Sequence, residues 1–128
     1  MTVEDMSSIA IIAYLLYHAA LNWSVETLNE LVDAELDALP PTFKAKFLHI
    51  AKMLESLGPQ KVREPYVKHL EDKLWEIRMK AQPGIARAIY VTVKDRRMVI
   101  LHAFVKKTQK TPRAALELAR QRMKETGL

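Results

Sequence analysis

Charged side chains recur in three neighbouring segments of the second half of the chain, and their types suit the chemistry of phosphate groups. Arg78 follows Glu76 by two positions, so an extended strand would place both side chains on one face. Arg87 lies in an otherwise apolar stretch, where a charge needs a partner or a ligand. The third segment ends in Lys106 and Lys107. Two guanidinium groups and an ammonium group that meet in one hollow would suit a phosphodiester.

These charges also have structural interpretations, which the sequence leaves open. Glu76 could form an ion pair with Arg78 on its own strand or with Arg87 on the next. Lys106, Lys107 and Lys110 could instead form the solvated end of a strand.

One histidine and two aromatic residues accompany the cations. His102 is a candidate acid or base, although a histidine in an apolar strand is more often a packed side chain. Trp75 shares a strand face with Ile77, and both it and Phe104 are expected in the core.

Several other kinds of site find no support. The chain has no cysteine, which excludes disulfides, thiolate metal sites and a cysteine nucleophile, and agrees with a cytoplasmic protein. Its three glycines form no phosphate-binding loop, and its four histidines lack the spacing of metal ligands. We therefore expect neither a metal nor a cofactor.

The charge is unevenly distributed along the chain. All 20 basic residues lie from Lys44 onward, whereas seven of the 15 acidic residues precede it. The resulting positive field favours a polyanionic partner such as a nucleic acid, but it would also suit an acidic protein or an anionic membrane surface.

The elements that would position these residues follow from periodicity and turn signals. Residues 22–27 alternate as a short strand, and apolar residues from Leu28 to Leu39 recur at helical spacing. A second helix is predicted after Pro40-Pro41, with Thr42 as its N-cap and its end at Gly58. Its polar side carries Lys44, Lys46 and Lys52.

The second half of the chain predicts an antiparallel meander followed by a helix. The expected strands are Leu74–Lys80, Ile85–Val93 and Met98–Lys106, and residues 64–72 are expected as a loop or short element. Thr111-Pro112 would cap a last helix that runs to about Lys124. The predicted fold is α+β: a small antiparallel sheet, made of the N-terminal strand and the meander, packed on one layer formed by an αα-hairpin and a C-terminal helix.

Residues 1–21 have a separate character. Ile9 to Leu21 is nearly all apolar, but Glu4 and Asp5 precede it where a signal peptide would be positive. Polar residues within the run weaken a membrane-spanning interpretation. We expect an extra apolar helix or a start codon that lies downstream, and a main domain over residues 22–128.

Three segments carry a resemblance to a known family. Residues 74–78 (LWEIR), 86–90 (ARAIY) and 101–112 (LHAFVKKTQKTP) resemble the phage-derived, HigB-like branch of the RelE/ParE toxin superfamily, in order and spacing from about Asn22 to Lys124. Two positions depart from the family pattern, because Ala86 replaces a tyrosine and Ala103 replaces a glycine. Neither departure removes a charge.

The resemblance implies a RelE-like fold and the activity of a type II toxin. Such a toxin cleaves mRNA without a metal, commonly on the ribosome, by attack of a 2′-hydroxyl on the adjacent phosphate, and a helix-turn-helix antitoxin neutralises it. The resemblance implies that Arg78 and Arg87 bind the phosphate. It further implies that Lys106 or Lys107 contacts the leaving oxygen or the RNA, and that Glu76 or His102 serves in acid–base catalysis. The further cations expected to bind RNA are Lys44, Lys46, Lys52, Lys80 and Lys110.

Two other functions stay open for this resemblance. A ParE-like relative would poison DNA gyrase, and an inactive relative would only bind an antitoxin.

Overall fold

The computed structural model describes residues 8–13, 22–82, 84–106 and 110–128. Its elements, in chain order, are β1 (Ser24–Thr27), α1 (Glu30–Asp37), α2 (Pro41–Leu57), β2 (Val67–Glu71), β3 (Leu74–Ala81), β4 (Gly84–Val93), β5 (Arg97–Lys106) and α3 (Arg113–Glu125). Helices and one sheet pack together, which confirms the predicted α+β class.

The sheet has five strands in the order β1-β5-β4-β3-β2. The predicted meander is confirmed, since β3, β4 and β5 pair antiparallel. Residues 64–72, expected as a loop or short element, contain the outer strand β2, whose strand character was not predicted because only Val67 in it is buried. The N-terminal strand was expected to be antiparallel, but β1 pairs with β5 in parallel. Side-chain alternation is the same in both orientations, so the pattern could not distinguish them.

Helices cover both faces of the sheet, which corrects the expectation of a single helical layer. On one face, Phe43 and Leu54 of α2 pack with Ile77 and Tyr90. On the other face, Ala115 and Ala119 of α3 lie in a second cluster of buried residues with Leu74, Ile89, Val91, Val99 and Leu101. The sheet is thus the central layer, with an apolar core on each face. The cations discussed below lie on the same strands.

The helix ends agree with the sequence in part. Asn29 caps α1 by accepting a hydrogen bond from the Val32 N–H at 3.1 Å, and Gly58 ends α2 at a positive φ of 84°. The Trp23 indole would lie 3.2 Å from a Cβ at Gly58. Thr42 is not the cap of α2, because the helix already begins at Pro41.

The N-terminal extension falls mostly outside the described residues. Residues 8–13 are helical, and Ile9 is 81% exposed. Among the described residues, no helix has the length and apolar character needed to cross a bilayer.

Candidate nucleic-acid interface

A buried carboxylate lies at the centre of the candidate site. Glu76 on β3 is 1% exposed and accepts a hydrogen bond from the Arg87 guanidinium. The Thr111 hydroxyl donates to its other oxygen at 2.6 Å. Arg78 Nε lies 3.8 Å from Glu76 Oε1. Both ion pairs that the sequence left open, of Glu76 with Arg87 and with Arg78, are therefore present.

The strand register brings these side chains to one face of the sheet. Arg78 lies directly opposite Arg87, and Glu76 lies opposite Lys68 on the outer strand. Lys106 lies opposite Ile85, two positions before Arg87. Because directly opposed residues share a face, all five charged side chains belong to the face on which α3 packs.

The electrostatics of this cluster are dominated by burial. Arg87 is completely buried, and loss of solvation lowers the pKa of its guanidinium; the Arg78 charge lowers it further, while Glu76 opposes the shift. An arginine stays protonated even so. The single Glu76 carboxylate therefore faces two guanidinium groups.

Lys106 adds a third cation to this cluster. Its side chain is 5% exposed, and its Nζ has no hydrogen-bond partner among the described residues. Burial lowers the pKa of this ammonium group, and the positive charge of Arg87 adds to the effect. A buried ammonium without a hydrogen bond is costly, so the Nζ of Lys106 is suited to an incoming anion.

An open cleft of about 360 Å³ adjoins the cluster. We call it the basic cleft, and its polar lining consists of Lys46 and His49 from α2 with Arg78 and Lys80 from β3. Arg78 and Lys80 lie on β3 beyond its overlap with β2, which begins at Val67 opposite Ile77. Lys46, His49 and Lys80 are exposed, so a phosphate could approach them from solvent.

The other predicted RNA-binding residues are dispersed. Lys44 forms an ion pair with Asp37 at 3.2 Å, on a different side of α2 from Lys46, because residues two apart on a helix do not share a face. Lys52 is exposed on the same helix. Lys110 is exposed beside Thr111 and lines a second cleft with it. Lys107 lies outside the described residues.

His102 is held in a network of its own. Its Nδ1 lies 2.9 Å from Glu35 Oε1, and Arg122 donates to the same carboxylate at 2.8 Å. The ring also stacks on Phe104 with a centroid distance of 4.8 Å. These contacts support the packed interpretation of His102.

The two aromatic residues expected in the core differ. Phe104 is partly buried against the core beneath α3. The expectation for Trp75 was wrong, because its side chain is 37% exposed and contacts the His69 ring. The alternation that placed Trp75 beside Ile77 is real, but Trp75 pairs with His69 on the outer strand, where the core face ends.

The structure adds His49 and Thr111 to the residues found from the sequence. His49 could have been found from its spacing, since it follows Lys46 by one helical turn. Thr111 was read as a helix cap, but Pro112 occupies that position and the Thr111 hydroxyl bonds Glu76 instead. That contact joins residues 35 positions apart and leaves no local signal.

Within the described part of the chain, no group of three or more histidine or acidic residues is arranged to hold a metal ion.

Comparison with known families identifies the family of the chain. The profile described as "Phage derived protein Gp49-like (DUF891)" matches residues 34–124. The chain belongs to this Gp49-like family. The matched region includes Glu76, Arg78, Arg87, Lys106 and Thr111.

The fold of this Gp49-like protein also occurs among solved structures. It is similar to a chain in the crystal structure of an archaeal RelE–RelB complex from Pyrococcus horikoshii OT3, with 26% identity and a TM-score of 0.50. The similarity covers 66% of this chain and 96% of that one. No functionally curated protein matches the sequence significantly.

Proposed function

We propose that this Gp49-like protein is the toxin of a type II toxin–antitoxin pair, of the HigB-like branch, and that it cleaves mRNA without a metal. The observation that carries the proposal is the placement of Arg78 opposite Arg87 around one buried carboxylate, at the margin of the basic cleft. Family membership and the similarity to a RelE–RelB structure support it.

The reaction needs stabilisation of negative charge more than any cofactor. The 2′-hydroxyl of one nucleotide attacks the adjacent phosphorus, the bond to the 5′-oxygen breaks, and the products are a 2′,3′-cyclic phosphate and a free 5′-hydroxyl. Arg78, with Lys46 and Lys80, would bind the phosphate in the basic cleft and stabilise the charge of the phosphorane. His49 lines the same cleft and would serve as acid or base.

The buried members of the cluster would act through Arg78. Arg87 is fully buried and bonded to Glu76, so we assign it a positioning role in place of the direct phosphate contact that the resemblance implies. Both oxygens of Glu76 already accept hydrogen bonds, which makes it a poor general base. His102 is similarly engaged by Glu35. Lys106 would contribute positive charge from behind the cleft.

The proposed partners follow from the same comparison. The similar archaeal chain comes from a RelE–RelB complex, and we propose a helix-turn-helix antitoxin as the corresponding partner here. We propose that the protein binds its mRNA substrate on the ribosome. The exposed lysines of α2 would contact ribosomal RNA in a salt-dependent manner.

Transcript cleavage after induction of the chain tests the proposal. Mapping of 5′ ends should show new cuts with wild type, and Arg78→Ala should lower the cleavage rate by roughly 100- to 1,000-fold, as for loss of one donor to a developing oxyanion. Arg97→Ala is the matched control. Arg97 pairs with Glu26 of β1, so a chain with this substitution should cleave RNA normally. DNA breaks without RNA cuts would indicate gyrase poisoning, and unchanged growth with no cuts would indicate an inactive relative; either result refutes the nuclease.

A further inference from the structure

Two aromatic rings are displayed at the end of the β2–β3 hairpin. His69 and Trp75 lie opposite each other on the two strands, with ring centroids 4.8 Å apart and planes inclined by 55°. Trp75 is 37% exposed and His69 is also exposed. We call this pair the aromatic platform. An indole that is partly exposed to solvent at the end of a core face is available to contact a ligand.

The platform is held in place by the hairpin turn. His69 Nε2 donates to the Asp72 carbonyl oxygen at 2.8 Å, since a carbonyl can only accept. Arg120 of α3 bonds the Asp72 carboxylate at 3.0 Å and also pairs with Glu71. The turn is thereby fixed to α3, and the rings lose little conformational freedom when a ligand binds.

The surroundings of the platform favour a nucleic acid over an apolar ligand. Trp75 and His69 line an open cleft of about 560 Å³ together with Arg63 and Lys68, and Glu64 is its acidic member. Lys68 lies opposite Glu76 on β3, on the other face of the hairpin from His69 and Trp75, and it also lines this cleft. Basic groups next to an exposed aromatic surface are the arrangement that binds single-stranded nucleic acid.

The platform is continuous with the basic cleft. Trp75 precedes Arg78 by three positions on β3, roughly 10 Å along a strand, so the two side chains lie on opposite faces of the sheet. The two clefts adjoin at the start of β2. Tyr66, 42% exposed, lines the basic cleft, and its neighbour Val67 lines the cleft of the platform. An extended strand whose phosphate lies at Arg78 can therefore pass over Tyr66 to Trp75.

We propose that the aromatic platform stacks an unpaired base of the RNA whose scissile phosphate lies in the basic cleft. This inference rests on the proposed function and adds a contact that fixes the RNA register. Every base has a π-face, so stacking on Trp75 would select an unpaired nucleotide and tolerate several base identities.

Binding of an uncleavable RNA tests the platform directly. The probe is a fluorescent 2′-O-methyl oligonucleotide, which lacks the attacking hydroxyl, and its anisotropy is titrated with the full chain. Trp75→Ala should weaken binding on the order of ten-fold, and Trp75→Phe should retain most of the affinity. Leu31→Ala is the control, because Leu31 is an even more exposed apolar residue, on α1, and its loss should leave binding unchanged.

An abasic scan identifies the stacked nucleotide. One abasic position should weaken binding to wild type by a similar factor, with no further loss in Trp75→Ala, because both changes remove the same contact. Equal affinities of wild type and Trp75→Ala, or an abasic penalty that persists in Trp75→Ala, would overturn the proposal. A Trp75→Ala chain that binds RNA normally but no longer binds its antitoxin would also overturn the proposal, since the platform would then be a protein interface.

The two proposals can fail separately. If the chain cleaves RNA but its platform stacks no base, the nuclease proposal is supported and only the platform proposal is refuted. Stacking by a chain that cuts no RNA would leave the platform and remove the nuclease.

Discussion

Lys106 shows how a single residue can oppose stability where it would serve chemistry. Its ammonium group is buried close enough to Arg87 and Arg78 for their charges to lower its pKa. A fold shaped only by stability would place an apolar side chain there.

Lys106→Met should therefore stabilise the fold and weaken RNA cleavage. The depressed pKa means that protonated Lys106 disfavours the folded state until the pH rises through its folded pKa, so removal of the charge should raise the free energy of unfolding at pH 7 by roughly 1 kcal/mol. Urea denaturation measures this gain, and Lys94→Met, an exposed turn residue, should change it little. A less stable Lys106→Met chain would show that the ammonium has a partner in the folded protein.

At the residue scale, the sequence pointed to charged residues that the structure brings to one face of the sheet, and it left the pairing of Glu76 open. Arg87 stood out as a charge in an apolar stretch, Glu76 and Arg78 as charges on one strand face, and Lys106 as part of a basic strand end. Which cation Glu76 would bond depended on strand register, and the contribution of Thr111 depended on the docking of α3. Such contacts are tertiary and have no signature in local spacing.

At the scale of elements, α1 completes the sheet edge that β1 leaves open. The pairing of β1 with β5 ends at Thr27 opposite Ile100. Beyond it, the Ala103 N–H donates to the Glu35 carboxylate at 3.1 Å, and the Leu101 carbonyl accepts from Arg122 at 2.8 Å. Side chains from α1 and α3 thus take the place of a longer edge strand.

Glu35→Gln should weaken the fold in a pH-dependent way. Burial raises the pKa of Glu35, but hydrogen bonds from Arg122, His102 and the Ala103 N–H outweigh burial, so the net pKa lies below its ordinary value. The carboxylate therefore contributes stability above pH 4.5 that is lost as the pH falls through its folded pKa. We expect a loss of about 2 kcal/mol at pH 7 that shrinks in acid, measured by urea denaturation across pH.

A suitable control for this experiment is Glu30→Gln, an exposed acid on the same helix. A gap between wild type and Glu35→Gln that stays constant from pH 7 to pH 3 would contradict the assignment.

The strands of the meander were predicted to within about one residue because apolar alternation and polar turns mark them clearly. The bulge was not predicted: Ile89 pairs with His102 while Tyr90 pairs with Ile100, so Leu101 is an extra residue in β5. The apolar run in β5 reflects burial on both faces of the sheet, because Met98 and Ile100 belong to one buried cluster and Val99 and Leu101 to the other. The direction of β1 and the presence of β2 likewise depended on pairing partners distant in sequence.

At the scale of the molecule, the candidate site lies in the segment that the Gp49-like profile matches. That match starts at residue 34, and the site residues all follow it. The separation of residues 1–21 from the main domain is still a prediction.

Deletion of residues 1–21 should leave a folded and active protein. No candidate site residue named above precedes Lys44, so a chain of residues 22–128 should keep the melting temperature to within a few degrees and the cleavage pattern of the full chain. Thermal denaturation and 5′-end mapping check the two halves of this expectation. A chain that fails to fold would show that the extension is part of the core.

The bond between Thr111 and Glu76 has a consequence for the order in which the protein matures during translation. A ribosome completes β3 and β4 before it adds Thr111, so a growing chain holds Glu76 and Arg87 without the hydroxyl that bonds the second carboxylate oxygen. The buried cluster is therefore finished only after α3 has been made and has docked, so the proposed RNA cleavage would begin only when synthesis of the domain is nearly over.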